Sequence, residues 1–318
     1  MTVAEARPQE ASGKVLIASP HGFCAGVERA IDTVERALDE FGAPVYVRGE
    51  IIHSGHVVDE LRERGARFVD SEDEIPAGEV CILSAHGVAP EVRHNARRRG
   101  LRVIDSTCPL VAKVHVEVRR YARGGREVVL IGHGGHEEVE GTIGEAPERV
   151  HVVADEDEID ALPIARDAPV AYAVQTTLAV DDTAHLVARL REHFTDIVGP
   201  RKDDICYASQ NRQAAVKAIA PECDVVLVAG ARNSSNSNRL VEVARAGGTS
   251  AHLVPDVADL DTTWLDGART IGLGAGASAP RKLVDSILAR LAELGYDDVA
   301  SREVTTESVT FPPPRWPS

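Results

Sequence analysis

Short apolar runs alternate with amphipathic segments along nearly the whole chain. The apolar runs predict strands at 15–18, 45–47, 80–83, 128–131, 170–174, 225–229 and 270–273. The segments with one apolar face predict helices at 27–41, 109–122, 181–194, 207–220, 237–246 and 280–294. This alternation is typical of βαβ units, so the predicted fold class is α/β. Because the strands are continuously apolar, we expect mainly parallel sheets that are covered on both faces.

The turns between these elements carry a repeated arrangement of polar residues. Cys24, Cys108 and Cys206 each stand at or just before a predicted helix, and two polar loops follow each of them at comparable distances. In chain order, the loops contain His53 and His86, then His136 and Thr176, then Ser234, Ser235 and Asn236 with Ser278. Because ligands of such folds bind beyond the carboxyl ends of strands, this pattern predicts three pseudo-symmetric αβ lobes around a central cleft. The alternative is coincidence, since any alternating chain has turns at similar intervals.

The same interpretation divides the chain into five parts. Residues 1–13 are expected to form a disordered arm, and 14–107, 108–205 and 206–300 the three lobes. The remaining part, 301–318, is a C-terminal tail with one strand-like run at 308–311. The length of 318 residues allows two or three domains, and the monomer is large enough to stand alone.

The chain is acidic, with 35 Lys and Arg against 50 Asp and Glu and a net charge of −15. This balance argues against nonspecific nucleic-acid binding and against attachment to an acidic membrane surface. No apolar run reaches the roughly 18–20 residues of a membrane span, and the N-terminus lacks the apolar core of a secretory signal. We therefore expect a cytoplasmic protein, most simply an enzyme.

The five cysteines occur in two kinds of setting. Cys81 and Cys223 lie in or beside apolar runs and are interpreted as small hydrophobic residues. The other three stand at helix starts, where the macrodipole and free N–H groups stabilise a thiolate. Three converging thiolates need a cation. Zinc is one candidate, although its structural sites usually have four ligands; a [4Fe–4S] cluster held by three cysteines leaves one iron open to a substrate oxygen.

Other loop residues indicate an anion site with a proton donor beside it. Histidines that follow strands next to glycine are not needed for packing, and they can hold an anion or carry a proton; these are His53, His86, His133 and His136. The polar turn at 233–238 leads straight into a helix, and Ser278 caps another, which favours one anionic group held mostly by neutral donors. Glu138 is the leading candidate for a general acid, and Glu137 and Glu140 are its rivals.

Eight motifs in order resemble the 4-hydroxy-3-methylbut-2-enyl diphosphate reductase family, the last enzymes of the methylerythritol phosphate route to isoprenoids. They occupy 22–27 (GFCAGV), 84–88 (SAHGV), 105–111 (DSTCPLV), 135–141 (GHEEVEG), 175–178 (QTTL), 199–207 (GPRKDDICY), 233–240 (NSSNSNRL) and 275–280 (AGASAP). The resemblance covers roughly residues 15–300. Two positions depart from the family pattern, which commonly has arginine at 21, where this chain has His21, and proline at 137, where it has Glu137.

The resemblance implies a three-lobed protein with one [4Fe–4S] cluster per chain, held by Cys24, Cys108 and Cys206. It implies that the substrate diphosphate is bound by His53, His86, His136, Ser234, Ser235, Asn236 and Ser278. Glu138 would deliver protons, and Thr176 would orient Glu138 and the substrate hydroxyl.

The implied reaction is reductive dehydroxylation of (E)-4-hydroxy-3-methylbut-2-enyl diphosphate to isopentenyl and dimethylallyl diphosphate. A ferredoxin- or flavodoxin-like partner would supply two electrons. Two alternatives stay open, a non-catalytic iron–sulfur sensor or scaffold and a zinc-dependent phosphoesterase. The sensor or scaffold gives no reason for the Ser-Ser-Asn turn or for Ser278.

Overall fold

Three separate parallel sheets organise the chain. The computed structural model describes residues 13–317, so the expected disordered arm lies almost wholly outside the described residues. The strands are β1 (Lys14–Ser19), β2 (Val45–Arg48), β3 (Ala66–Val69), β4 (Val80–Leu83), β5 (Arg102–Asp105), β6 (Glu127–Ile131), β7 (Val150–Val153), β8 (Pro169–Val174), β9 (Asp196–Val198), β10 (Val225–Ala229), β11 (Ser250–Val254), β12 (Thr270–Ala275) and β13 (Asp298–Glu303). The helices are α1 (Ala25–Phe41), α2 (Gly55–Glu63), α3 (Pro90–Arg98), α4 (Pro109–Arg123), α5 (Glu137–Ile143), α6 (Glu156–Asp160), α7 (Val180–His193), α8 (Tyr207–Ile219), α9 (Ser235–Ala246) and α10 (Arg281–Glu293).

The three sheets share one strand order. The first runs β3-β2-β4-β5, the second β7-β6-β8-β9 and the third β11-β10-β12-β1-β13. Every strand pairing within residues 13–317 is parallel. In the third sheet, β1 from the N-terminus takes the position that β5 and β9 take in the other two. The predicted α/β class with three lobes is therefore confirmed.

The assignment of the cysteines to sheets differs from the grouping that their spacing in the sequence predicted. The spacing placed Cys24 with His53 and His86, but β1, which precedes Cys24, pairs with β12 and β13 of the third sheet. Cys108 follows the edge strand of the first sheet instead. Each cysteine thus follows the fourth strand in the order of its sheet, so Cys24 belongs to the third sheet, Cys108 to the first and Cys206 to the second. The lobe ranges themselves stay a prediction.

Helices cover both faces of the sheets, as the continuous apolar runs predicted. In β6, Val129 and Ile131 pack into one core cluster, and Val128 and Leu130 pack into another on the opposite face. Successive side chains of a strand point to opposite faces, so both faces of this strand are buried. Similar packing anchors the polar turns at the strand ends on rigid elements.

The C-terminal tail crosses the first and eighth helices without regular structure after β13. The strand-like run at 308–311 is not a strand, because its side chains are largely exposed and three prolines follow it directly. Instead, Pro312 accepts a hydrogen bond at 2.7 Å from Arg29 Nε, and Glu307 pairs with Arg212 at 2.9 Å. In the described part of the chain, none of the helices has the length and apolar character needed to cross a membrane.

Candidate active site

The carboxyl ends of strands from all three sheets line one pocket. Strands β2, β4 and β5 lead to His53, His86 and Cys108; β6, β8 and β9 lead to His136, Thr176 and Cys206; and β10, β12 and β1 lead to Ser234, Ser278 and Cys24. Ser235, Asn236 and Glu138 line the same pocket. All twelve site residues that the resemblance implied therefore line one pocket.

Three cysteines lie together at the floor of this pocket, each at the N-terminus of a helix. Cys24, Cys108 and Cys206 occupy the N-cap positions of α1, α4 and α8. A Cβ atom placed on Gly26 would lie 2.9 Å from Cys108 Sγ and 3.8 Å from Cys24 Sγ, so only glycine fits between them. The Cys206 sulfur accepts a hydrogen bond from the Ser209 N–H at 3.3 Å.

The environment of these sulfurs fits a shared cationic group. Burial, together with the neighbouring cysteines, raises the pKa of Cys108 to about 12 and that of Cys206 to about 11. A cluster of buried thiolates is therefore unfavourable by itself and becomes favourable around a metal centre. Three sulfurs from three separate helices match the three-cysteine donor set of an iron–sulfur cluster with one open position.

A stacked pair of histidines forms one wall of the pocket. The rings of His53 and His86 are 4.0 Å apart between centroids and nearly parallel. Each has a carboxylate behind it: Glu50 lies 3.1 Å from His53 Nδ1, and Glu137 lies 2.7 Å from His86 Nδ1. His53 Nε2 is buried and has no hydrogen-bond partner among residues 13–317.

His136 meets this pair edge-on and is held differently. Its ring lies 5.4 Å from His53 and 6.0 Å from His86, close to perpendicular to both. Its Nδ1 accepts a hydrogen bond from the backbone N–H of Glu138 at 3.1 Å, which fixes the neutral tautomer with a proton on Nε2. Burial, together with His86 and His53, lowers the pKa of His136 to about 4. His136 therefore donates as a neutral ring.

Glu138 is buried, and among the described residues its carboxylate is hydrogen-bonded only to Thr176. Its two carboxylate oxygens accept hydrogen bonds from Thr176, at 2.6 Å from the backbone N–H and 2.9 Å from the hydroxyl. Only 3% of Glu138 is exposed, and burial raises its pKa to about 6. A carboxyl group in this setting can both carry and release a proton near neutral pH.

Hydroxyl and amide groups in the turns of the third sheet form a second wall of the pocket. Ser234 caps α9 and lies 3.4 Å from the Ser278 hydroxyl, and Thr177 donates to the Ser235 hydroxyl at 3.0 Å. The expectation that Ser278 caps a helix is wrong, because α10 begins at Arg281 with Pro280 at its N-cap. Asn236 accepts a hydrogen bond from the Ala277 N–H at 2.7 Å. The wall thus offers neutral donors at a helix N-terminus, an arrangement that suits an anion.

The comparisons with known proteins agree with this geometry. A model of the LytB protein family matches residues 15–292. The chain belongs to the LytB protein family. A LytB relative from Aromatoleum aromaticum, named 4-hydroxy-3-methylbut-2-enyl diphosphate reductase, is 55% identical over 302 residues, covering 95% of this chain and 97% of that protein. A protein of the same name from Nocardia farcinica is 55% identical over 303 residues, covering 95% and 90%.

Solved LytB-type structures share the fold. The E-1-hydroxy-2-methyl-but-2-enyl-4-diphosphate reductase from Plasmodium falciparum superposes with a TM-score of 0.92 at 36% identity, covering 96% of each chain. A second structure, described as the terminal enzyme of the non-mevalonate pathway, has a TM-score of 0.63 at 32% identity and covers 88% of this chain and 99% of that one. The resemblance and the fold class predicted from the motifs are therefore confirmed, while the roles of individual residues stay predictions.

Several neighbours of the site were not predicted from the LytB motifs. Glu50 contacts His53, and Asn233 donates to Glu50 at 3.0 Å. His133, a histidine candidate in the sequence, is exposed and faces Arg239 instead of the pocket. Glu50 stands three residues before His53, so the short spacing was the only signal, and nothing in the sequence showed that the two side chains would meet.

Proposed function

We propose that this protein reductively dehydroxylates (E)-4-hydroxy-3-methylbut-2-enyl diphosphate to isopentenyl diphosphate and dimethylallyl diphosphate. Its membership of the family of diphosphate reductases supports the reaction class. The convergence of three cysteines, three histidines and a buried carboxyl group on one pocket supports the reaction at the level of residues.

The three pocket cysteines would hold one [4Fe–4S] cluster per chain. When bound through Cys24, Cys108 and Cys206, such a cluster supplies two electrons, one at a time, and an open iron that acts as a Lewis acid. The three helix N-termini favour the thiolate form of these side chains through their dipoles and free N–H groups.

The histidine wall and the serine wall would hold the substrate diphosphate between them. His53, His86 and His136 face it from the first two sheets, and Ser234, Ser235, Asn236 and Ser278 face it from the third. Holding the diphosphate away from the reacting bond fixes the orientation of the allylic alcohol and lowers the entropic cost of reaction.

Glu138 would deliver the protons that the reaction consumes. The overall change takes two electrons and two protons: the carbon–oxygen bond breaks, water leaves, and one allylic carbon gains a hydrogen. Thr176 keeps the Glu138 carboxyl in place through both of its hydrogen bonds. Protonation at either end of the allylic unit gives the two products.

The observation that carries this proposal is the meeting of three cysteines from distant turns beside an anion-binding pocket. The test is to purify the protein without oxygen and to supply the substrate with a chemical reductant or with a ferredoxin- or flavodoxin-like donor, the partner class we propose. We expect both isomeric products. A cluster without diphosphate binding would instead indicate a sensor or scaffold, and bound zinc without visible absorption would indicate a hydrolase.

A further inference from the structure

Two carboxylates contact the Nδ1 atoms of the stacked histidines, and these contacts determine which ring nitrogen carries a proton. Glu137 Oε2 lies 2.7 Å from His86 Nδ1, and Glu50 Oε2 lies 3.1 Å from His53 Nδ1. A carboxylate accepts but does not donate a hydrogen bond, so in both rings Nδ1 carries the proton that bridges to the carboxylate. This assignment follows from the chemistry of the two partners in each pair.

A proton on Nδ1 determines what Nε2, the other nitrogen of each ring, can do. If Nδ1 holds the only proton, Nε2 carries a lone pair and repels an anion. To donate to a phosphate oxygen, His53 and His86 must each take a second proton and become imidazolium. His136 needs no such proton, because its Nδ1 accepts from the Glu138 N–H and its Nε2 already donates.

Two imidazolium rings stacked at 4.0 Å would repel each other without compensating charge. Glu50 and Glu137 provide one negative charge for each ring. Burial and the neighbouring His86 lower the pKa of His53, and Glu50 and Glu137 act against this shift. The other titratable groups that face the pair are His136 and, through it, His133, and both have lowered pKa values because of burial and neighbouring positive charge. The two carboxylates are therefore the groups of this cluster that favour a doubly protonated pair.

Resting on the proposed function, we propose that Glu137 is a positioning residue for diphosphate binding: it holds His86 at Nδ1 and stabilises its imidazolium form, as Glu50 does for His53. Burial acts to raise the pKa of Glu137 and contact with His86 acts to lower it, and the net shift is downward, so the carboxylate is charged when it is needed. His53 Nε2 is buried and has no partner in the described part of the chain, so a second proton on this ring would leave Nε2–H free to donate to the anion.

Glu137 gives the proposal a sharp test because the family resemblance associates proline with this position. Glu137→Gln keeps the shape and removes the charge. Glu137→Pro removes the contact altogether and suits the first position of α5, where proline is tolerated. Glu140→Gln is the matched control, since Glu140 lies on the same helix, is exposed, and its carboxylate accepts a hydrogen bond only from the Gly135 N–H among the contacts described for residues 13–317.

The experiment measures binding of inorganic pyrophosphate to the anaerobic holoenzyme by calorimetry between pH 6 and 9, without divalent cations. Affinity depends on imidazolium, so it is present at low pH and is lost as the rings give up their second proton at higher pH. Because Glu137 pairs with the His86 ring and stabilises its imidazolium form, the loss in Glu137→Gln and Glu137→Pro should set in at lower pH, with affinity at pH 7 weaker by roughly tenfold. The titration of pyrophosphate itself is common to all variants and cancels in the comparison.

The outcomes separate this proposal from the proposed function. If the wild type reduces the substrate but Glu137→Gln and Glu137→Pro keep the wild-type pH profile, the positioning role is wrong and the function stands. If pyrophosphate binds with the expected pH shift but no variant or wild type turns over, the function is wrong and the role stands. If the wild type binds pyrophosphate only when a divalent cation is added, His53, His86 and Glu137 act as a cation site, and the proposal is overturned.

Discussion

Two adjacent glutamates at the start of α5 have opposite environments. Glu138 is 3% exposed and is hydrogen-bonded to Thr176, whereas the Glu137 side chain is 41% exposed and is paired with His86. Burial raises the pKa of Glu138 to about 6, and the histidine contact holds the pKa of Glu137 below its usual range. The first can therefore carry a proton near neutral pH, while the second is a fixed negative charge.

Glu138→Gln should lower turnover at least a hundredfold while leaving the binding of pyrophosphate within about twofold of the wild type. Glutamine keeps a hydrogen-bond acceptor for Thr176 but has no proton to give. Steady-state turnover and pyrophosphate calorimetry on the same anaerobic preparation measure the two quantities. Turnover close to that of the wild type would remove Glu138 from the proton-transfer role.

Individual site residues could be predicted from the sequence only where their type is unusual for a turn. Histidine beside glycine and serine at a helix start were such signals, so His53, His86 and Ser234 were found. Glu50 and Glu137 were not assigned their partners, because acidic residues in turns are usually solvated and only the tertiary contact distinguishes these two.

Among the secondary-structure elements, strands in the interior of a sheet differ from strands at its edge. The seven strands predicted from apolar runs, β1, β2, β4, β6, β8, β10 and β12, all lie inside their sheets. The six that the pattern did not reveal, β3, β5, β7, β9, β11 and β13, are the edge strands. Edge strands are partly solvated and carry polar residues, as in the exposed sequence of β13, so no continuous apolar run marks them.

The tail adds an ion pair that holds the loop before α1. Arg212 is almost completely buried and donates to the carbonyl groups of Gly22 and Phe23, next to Cys24. Glu307 from the tail lies 2.9 Å from the same guanidinium and is its carboxylate partner. A buried guanidinium that loses its counter-charge is costly, so the tail contributes to the stability of this loop.

Glu307→Gln should destabilise the protein by about 2 kcal/mol, because it leaves the Arg212 charge buried without a carboxylate. The measurement is the midpoint of thermal unfolding of the anaerobic holoenzyme at one scan rate, where we expect a fall of several degrees. Glu303→Gln is the control, since Glu303 is exposed and accepts its hydrogen bond from the Thr306 hydroxyl. Equal midpoints for the two variants would show that the tail pair does not support the loop.

Over the whole molecule, the three sheets place their carboxyl ends around one centre. Each contributes two polar loops from interior strands and one cysteine, which follows the fourth strand in the shared order. This repetition explains why a regular spacing was visible in the sequence at all. The sequence could not show that β1 completes the third sheet, because strand pairing between the two ends of a chain leaves no local pattern.

The central claim is that three sulfurs distant in the sequence bind one inorganic group. Iron and acid-labile sulfide per chain, measured on anaerobically purified wild type, Cys108→Ser and Cys223→Ser, test it most directly. The account predicts about four irons and four sulfides for the wild type and for Cys223→Ser, and a large loss of both for Cys108→Ser. Wild-type iron and sulfide in Cys108→Ser, or equal losses in both variants, would contradict it.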